Sequence, residues 1–340
     1  MTRSLVIAPQ WIGDAVMTEP LMRLLAARGE TLTVAALPWV APIYQAMPSV
    51  AQVMELPFQH GGLQWSERRA MGQSLKGRFD RAYLGPNSLK SALIPWFAAI
   101  PERIGYHGEH RYGLLTTRLP NPSRQSRGSM VVHYLALAQA ETSPSQSVPQ
   151  LDLPLPVLRN ALAELGLTPG TYVVLAPGAE FGPAKRWPAA HFAQWAHLSG
   201  MPVVLLGSGK EAALCEDIAA VANEGRPESA QSLAGKTNLT QAMAAIAAAH
   251  SVVSNDSGLM HVAAAFGVPQ VALFGSSSPL HTPPLNSKAS VLWLKNVPAY
   301  QPPLDCAPCF KRNCPFEHTR CLNDLSPQMV AKTWADVVKG

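Results

Sequence analysis

Residues 249–276, AHSVVSNDSGLMHVAAAFGVPQVALFGS, decide the fold of this chain. Ser251–Ser254 is a short run centred on Val252 and Val253 that suits a buried parallel strand. Residues 255–258 break the strand with side chains that also cap helices, and apolar residues then recur at helical spacing over 259–266. A Gly and a Pro end that helix, and Val271–Phe274 follows as the next strand. The stretch therefore predicts a strand–turn–helix–strand unit of an α/β fold.

The turn of this unit holds a carboxylate, Asp256, and His261 follows about one helical turn later. A helix N-terminus at the carboxyl end of a parallel strand attracts anions, because its first N–H groups are unpaired and the helix dipole adds positive potential. Asp256 would repel a phosphate placed directly on it and suits the hydroxyls of an attached sugar, while His261 can donate to a phosphate oxygen. The alternative is that Asp256 only caps the helix and that His261 is an ordinary core or surface residue.

Residues 254–265, SNDSGLMHVAAA, resemble the donor-site signature of the ADP-heptose:lipopolysaccharide heptosyltransferases, glycosyltransferase family 9. Three further stretches resemble this family in the same order along the chain: Gln10–Asp14, Ala176–Ala179 with Lys185–Pro188, and Phe274–Pro279. Within the family, the cysteine-rich segment Asp305–Cys321 is most similar to heptosyltransferase II. The likeness covers most of the chain.

The resemblance implies a GT-B fold, in which two Rossmann-like, doubly wound α/β domains face a cleft. Residues 1–155 would bind the acceptor, residues 156–322 would bind ADP-heptose, and residues 323–340 would form a helix that packs back on the first domain. The composition agrees with a boundary near residue 155, because Thr142–Pro156 is rich in Ser, Pro and Gln, as linkers are. A chain of 340 residues is also long enough for two domains.

The start of the chain predicts another strand–turn–helix unit. Arg3–Ala8 is a mostly apolar strand, residues 9–14 form the turn, and Ala15–Ala27 shows helical periodicity. The unit lacks G-x-G-x-x-G, so the dinucleotide fingerprint is absent. Gly13 permits the close approach of an acceptor, and by resemblance Asp14 is the general base. The alternative for Asp14 is that it only caps the helix.

Two loops of the second half supply further candidates for the donor site. Gly178 follows a predicted strand, and Lys185 lies in a loop from which its ammonium can reach a diphosphate. Residues 207–211, GSGKE, look like part of a P-loop, but Val204 and Glu211 stand where that motif needs Gly and Ser or Thr. By resemblance Glu211 lies near the donor ribose, and a plain tight turn is the alternative. The predicted donor-binding residues are thus Gly178, Lys185, Glu211, Asp256, Ser257, Gly258 and His261.

Basic residues are concentrated in the first half of the chain. The net charge is +5, and residues 1–150 hold 14 Lys and Arg against 9 Asp and Glu. Such an excess fits an acidic partner, such as nucleic acid, an anionic membrane surface or a phosphorylated glycolipid, while a solvated face without a partner is the alternative. We expect Arg68, Arg69 and Arg124 to bind the acceptor.

Four cysteines follow the pattern C-x2-C-x4-C-x6-C from Cys306 to Cys321. Only the first pair has the spacing typical of zinc sites, so a bound zinc or iron–sulfur cluster and a reduced cluster are both open. Cys215 lies in a helical pattern and is expected in the core. The chain has no D-x-D, the motif with which many sugar-nucleotide transferases bind a metal, so we expect no catalytic metal and no cofactor.

By resemblance, the chain is an inverting glycosyltransferase that moves L-glycero-D-manno-heptose from ADP-heptose to the first heptose of the lipopolysaccharide inner core. The alternatives are a heptosyltransferase I or III that acts on another inner-core acceptor and, in a different class, a non-enzymatic binder of nucleic acid or anionic lipid. The sequence shows neither a signal peptide nor an apolar stretch of about 18 residues. We therefore expect a cytoplasmic protein that is peripheral on the inner face of the inner membrane and has no nucleic acid partner.

Overall fold

The computed structural model describes residues 1–58, 62–123, 128–139 and 147–339. The chain divides into two compact units, Met1–Asp152 and Leu153–Gly340. The division falls within the predicted linker, a few residues before the expected boundary at 155.

The first unit contains a parallel sheet with helices between its strands. The sheet has the order β3-β2-β1-β4-β5-β6. Its strands are β1 (Thr2–Ile7), β2 (Glu30–Ala36), β3 (Gln52–Glu55), β4 (Arg81–Leu84), β5 (Glu102–Tyr106) and β6 (Thr117–Leu119). The helices are α1 (Ile12–Met17), α2 (Glu19–Ala27), α3 (Ala41–Gln45), α4 (Trp65–Ser74), α5 (Leu89–Phe97) and α6 (Met130–Leu135).

The second unit repeats this topology with its own parallel sheet, ordered β12-β11-β10-β7-β8-β9. Its strands are β7 (Val173–Ala176), β8 (Val203–Leu205), β9 (Ala230–Ser232), β10 (Ser251–Asn255), β11 (Gln270–Leu273) and β12 (Ala289–Leu292). The helices are α7 (Leu155–Leu165), α8 (Ala189–Ser199), α9 (Ala212–Ala222), α10 (Leu239–Ala247), α11 (Gly258–Ala265), α12 (Arg320–Asn323) and α13 (Pro327–Lys339).

Both sheets confirm the predicted doubly wound α/β class. In each unit the first, second and third strands follow one another outward from the centre on one side, and the fourth, fifth and sixth do so on the other. The strand order therefore reverses between β1 and β4 in the first unit and between β7 and β10 in the second. Ligands of such sheets bind at this reversal, beyond the carboxyl ends of the strands.

The stretch 249–276 folds as predicted. Its strands are β10 and β11, which pair in parallel, and α11 connects them. The strands β7, β10 and β11 are buried along their whole length. Their central residues are apolar because helices cover both faces of the sheet. Cys215 is buried in this core, as expected.

The first helical stretch differs from the prediction of one helix over Ala15–Ala27. Instead α1 begins at Ile12 and ends at Met17, and α2 begins at Glu19. Pro20 lies in the first turn of α2, where it lacks the N–H that would continue the helix and its ring crowds the carbonyl four residues earlier. The interruption at Thr18 makes α1 a short separate helix, and because α1 begins at Ile12, Asp14 lies inside it rather than before it.

The last helix, α13, belongs to the second unit. It packs on α8 and on the strands β11 and β12. Its Trp334 ring lies edge-on to Trp195 and donates a hydrogen bond from its indole N–H to Ser251 Oγ at 2.7 Å. The packing of residues 323–340 on the first domain stays a prediction.

Candidate active site

The candidate donor site lies where β7 and β10 end, at the strand reversal of the second unit. Asn255, the last residue of β10, is fully buried there. Its Oδ1 accepts a hydrogen bond from the Trp187 backbone N–H at 3.0 Å, and its amide donates to the Pro177 carbonyl at 2.7 Å. One side chain thus ties both ends of the connection between β7 and α8, which carries Lys185, to the end of β10. Sequence reasoning gave Asn255 no role, although a polar residue at the end of a buried strand is a signal for one.

Lys185 and Asp256, predicted separately, form an ion pair in this structure. The Lys185 Nζ lies 2.5 Å from Asp256 Oδ2, and the two side chains are 17% and 4% exposed. The other carboxylate oxygen, Asp256 Oδ1, accepts a hydrogen bond from Thr282 Oγ1 at 3.3 Å. The Lys185 Nζ also lies 5.2 Å from the centre of the Phe181 ring, within the range of a cation–π interaction. Sequence reasoning missed Thr282 and Phe181.

His261 is buried in α11, close to this ion pair. Burial lowers its pKa from the usual 6.5 to about 4, an effect that the Asp256 charge opposes and the Lys185 charge supports. The imidazole is therefore neutral at neutral pH and can offer a phosphate one N–H donor but no positive charge. This leaves Lys185 as the positively charged group of the set. Ser257, just before α11, has a buried hydroxyl without a hydrogen-bond partner among the described residues.

Glu211 and Gly178 are packed against each other. A Cβ atom on Gly178 would overlap the Glu211 carboxylate, so a larger residue at this position would displace that side chain. The Glu211 Oε2 accepts hydrogen bonds from the Ser208 backbone N–H at 2.8 Å and from the Ser208 hydroxyl at 3.0 Å. Glu211 thus closes the turn after β8 as a capping box. Its contact with a ribose stays a prediction.

Asp14 lies half-buried in the first turn of α1, with Gly13 beside it. Trp11 is the residue that caps this helix, so the alternative reading of Asp14 as an N-cap is wrong. The hydroxyl of Tyr134, from α6, donates a hydrogen bond to Asp14 Oδ1 at 2.8 Å. Sequence reasoning missed Tyr134, because α6 lies 120 residues further along the chain.

The predicted acceptor residues have different environments. Arg68 is buried, and its guanidinium donates to the carbonyls of Leu63 and Lys90 and lies over the Phe58 ring. These contacts stabilise the packing around α4, which corrects the expectation of a charge presented to an acceptor. Arg69 is exposed. Arg124 lies outside the described residues.

A basic pocket of about 220 Å³ lies beyond the carboxyl end of β5, in the same unit. His107, His110 and Arg118 are exposed at this pocket, and Arg118 stacks on the Tyr112 ring with 4.7 Å between the guanidinium carbon and the ring centre. Arg111 lies buried beneath, donating to the Pro86 carbonyl at 2.9 Å. Sequence reasoning noted the basic region but not that these residues line one pocket.

The four cysteines of residues 306–321 line a single small cavity of about 20 Å³ together with His318. They are free thiols, as is Cys215. Burial and the neighbouring thiols raise the pKa of Cys321 to about 12. Within residues 1–58, 62–123, 128–139 and 147–339, no three His, Cys, Asp or Glu side chains are arranged to hold a metal ion. In the same part of the chain, no helix has the length and apolar character that a membrane span needs.

Comparison with known proteins supports one family. Residues 68–320 match glycosyltransferase family 9 (heptosyltransferase). The chain is 44% identical over 306 residues to lipopolysaccharide heptosyltransferase 2 of Escherichia coli (strain K12), covering 85% of this chain and 87% of that protein. It is 40% identical to lipooligosaccharide heptosyltransferase 2 of Haemophilus influenzae, covering 85% and 88%.

The fold agrees with that of a solved relative. The structure of E. coli ADP-heptose lps heptosyltransferase II superposes with a TM-score of 0.84 at 37% identity and covers 99% of this chain and 98% of that chain. This likeness confirms the GT-B fold expected from the sequence, and the family matches confirm that the chain is a glycosyltransferase. The chain belongs to glycosyltransferase family 9, the heptosyltransferases.

Proposed function

We propose that the chain transfers L-glycero-D-manno-heptose from ADP-heptose to the first heptose of the lipopolysaccharide inner core, with inversion and without a metal ion. The relatives named heptosyltransferase 2 support the substrates. The observation that carries the proposal is the Lys185–Asp256 pair at the strand reversal. It places a cation that can bind a diphosphate beside a carboxylate that can accept hydrogen bonds from sugar hydroxyls. A nucleotide-sugar donor carries both of these groups next to each other.

The donor is held by groups around the start of α11. Lys185 and the backbone N–H of Gly258 bind the diphosphate, where the helix dipole adds to the positive potential. Neutral His261 donates a further hydrogen bond, and Asp256 accepts from the heptose hydroxyls. Ser257 supplies a hydroxyl at the same turn, and Glu211 and Gly178 line the nucleotide side.

Asp14 takes the proton from the acceptor hydroxyl. The hydroxyl oxygen forms a bond to the anomeric carbon while the bond from that carbon to the ADP oxygen breaks, and ADP leaves with the electron pair. An ordinary Asp has a pKa of about 3.9 and is a weak base, but the hydroxyl becomes acidic as the new bond forms. Inversion in one displacement needs only this one carboxylate.

Charge on the departing diphosphate is balanced by the protein rather than by a metal ion. The sequence lacks D-x-D, and Lys185, backbone N–H groups and a helix dipole are donors of the kind that stabilise developing negative charge. Transfer should therefore persist in EDTA. Loss of transfer on chelation, restored by Mg²⁺ or Mn²⁺, would contradict this.

The acceptor, Kdo–lipid A carrying one heptose, binds to the first unit. Arg69 and, at the basic pocket, Arg118 offer the positive charge that its acidic groups need, and His107 and His110 offer hydrogen bonds there. Attraction of such a basic surface to anionic lipid would hold the enzyme peripherally at the inner face of the inner membrane.

A panel of acceptors tests the function. Purified protein is incubated with ADP-heptose and with acceptors that carry no heptose, one heptose or two heptoses, and ADP release and product mass are measured. The proposal expects turnover with the one-heptose acceptor. Preference for the acceptor without heptose would indicate heptosyltransferase I, and preference for two heptoses would indicate heptosyltransferase III. No turnover of ADP-heptose with any of them would favour a binding protein.

A further inference from the structure

The contact between Tyr134 and Asp14 joins two elements that are distant in sequence. The Tyr134 hydroxyl donates to Asp14 Oδ1 at 2.8 Å, and the tyrosine is only 4% exposed. A phenol placed on a carboxylate forms a charge-assisted hydrogen bond, which is stronger and more directional than a bond between neutral groups. The structure thus gives the proposed general base a buried partner that the sequence motifs do not include.

Tyr134 is itself held by its neighbours. Helix α6 starts after Ser129, whose hydroxyl accepts a hydrogen bond from the backbone N–H of Val132. His133 stacks on Tyr106 of β5 with 3.8 Å between ring centres and 10° between planes, and the Tyr106 hydroxyl donates to the His133 carbonyl at 2.5 Å. The sheet therefore fixes the part of α6 from which Tyr134 reaches Asp14.

Asp14 lies on an element with little rigidity of its own. Helix α1 has six residues and is interrupted at Thr18, so it has few internal hydrogen bonds. An Asp side chain in a short, half-exposed helix turn samples several rotamers unless a partner selects one. A general base must keep its lone pairs aimed at the proton that it removes, because geometry precedes basicity in this role.

We propose that Tyr134 is a positioning residue for Asp14: its hydroxyl fixes the rotation of the carboxylate so that the carboxylate meets the acceptor hydroxyl in one orientation. The inference rests on the proposed role of Asp14 as general base. In this role α6 supports the proposed general base. His133 and Tyr106 also connect Asp14 to the wall of the basic pocket, since Tyr106 lines that pocket.

Removal of the hydroxyl has two separable consequences. The carboxylate loses a contact that holds its orientation, which lowers kcat on the pH plateau. A donor on the ionised carboxylate also favours that form, so without it the carboxylate takes up a proton at a higher pH. The acid limb of the kcat–pH profile therefore moves to higher pH. The KM of the donor is expected to stay unchanged, because Tyr134 belongs to the first unit and the donor residues to the second.

Tyr134→Phe is the test, and Tyr83→Phe is its matched control. Tyr83 is equally buried in the same unit, and its hydroxyl also donates to a carboxylate, Glu30 Oε1, at 3.0 Å. For Tyr134→Phe we expect the plateau kcat to fall about 10-fold, as loss of a hydrogen bond to a charged group does, and the acid limb to shift upward. We expect Tyr83→Phe to keep the wild-type kcat and profile, whatever its effect on thermal unfolding.

A second measurement tests the coupling between the two residues. In the Asp14→Asn background, Tyr134→Phe should lower kcat by less than 3-fold, on the order of the non-additivity expected for residues that act as a unit. A wild-type plateau kcat for Tyr134→Phe, a loss without a shift of the acid limb, a loss matched by Tyr83→Phe, or full additivity with Asp14→Asn would each overturn the proposal. Failure of the proposed function is recognised separately, because Asp14→Asn alone would then retain normal kcat.

Discussion

The ammonium of Lys185 lies 2.5 Å from the carboxylate of Asp256, and both groups are largely removed from solvent. In the absence of donor, each charge is therefore compensated by the other. A diphosphate that binds Lys185 competes with Asp256 for the ammonium, while sugar hydroxyls that bind Asp256 replace part of what the carboxylate loses. We therefore expect the pair to favour a ligand that carries both a diphosphate and a sugar over a nucleotide alone.

Substitution of Lys185 should raise the Kd of ADP, and substitution of Asp256 should not. Lys185→Gln removes the cation, so the Kd of ADP should rise about 10-fold or more. It also leaves Asp256 buried without a cation, which should lower the free energy of unfolding by up to about 3 kcal/mol. Asp256→Asn removes the competitor, so the Kd of ADP should fall or stay unchanged while the KM of ADP-heptose rises. Calorimetric titration and thermal unfolding measure these effects.

Lys236→Gln is the control for this pair. Lys236 pairs with Glu216 at 3.5 Å, and both side chains are 58% exposed. Such pairs contribute little to stability, so neither unfolding nor ADP binding should change measurably. Weaker ADP binding by Asp256→Asn would contradict the competition between Asp256 and the diphosphate for Lys185.

Asp14→Asn should lower kcat by about 10²- to 10⁴-fold with donor affinity preserved, because the amide cannot accept the proton. The stability should change little, since Trp11 rather than Asp14 precedes α1 as its cap residue. Steady-state kinetics with an ADP titration checks both statements. A folded Asp14→Asn protein with near-normal kcat would remove Asp14 from the mechanism.

His261 should make stability depend on pH. Its pKa is about 4 in the folded chain because it is buried, against about 6.5 when unfolded. The unfolded chain therefore binds more protons between these values, and stability that is fully present above pH 6.5 is lost as the pH falls toward 4, by up to about 3 kcal/mol. Denaturant unfolding at several pH values should show a shallower decline for His261→Gln. Replacement of the exposed His197 by Gln should keep the wild-type slope, and an equal slope in all three proteins would contradict the assignment.

Charge reversal at exposed arginines of the first unit should weaken binding of the acceptor. Arg69→Glu and Arg118→Glu alter exposed charges, so the acceptor KM should rise and the donor KM should stay constant. The effect should weaken at high salt, because exposed charges are screened. Arg159→Glu, an exposed site on α7 in the second unit, is the control. Arg68→Gln should instead lower the unfolding temperature, and equal changes in both KM values for Arg69→Glu or Arg118→Glu would count against the assignment.

Features that depend on neighbouring residues could be predicted from the sequence. The strand β10 around Val252 and Val253 and the helical spacing of α11 lie within 15 residues, and the structure confirms both. The capping expectation is not confirmed, because Ser257 occupies the N-cap position of α11 without a side-chain capping hydrogen bond. The order of the motifs also identified the family, which the comparisons confirm. The break between α1 and α2 depended on Pro20 alone, so the prediction of one continuous helix gave too little weight to a local signal.

Contacts between distant residues could not be predicted in this way. Lys185 and Asp256 are 71 positions apart, and Tyr134 and Asp14 are 120 apart. Whether such residues meet depends on the strand order, which brings the ends of β7 and β10 together, and on which side chains each loop then buries. The same holds for Arg68, since its charge is visible in the sequence while its burial over Phe58 is not. The sequence by itself determined the strands and the helix of residues 249–276, the doubly wound class and the family, because these are encoded in short-range periodicity and motif order. Only the tertiary structure decided which charges pair and which are buried, because burial and pairing are properties of packed neighbours.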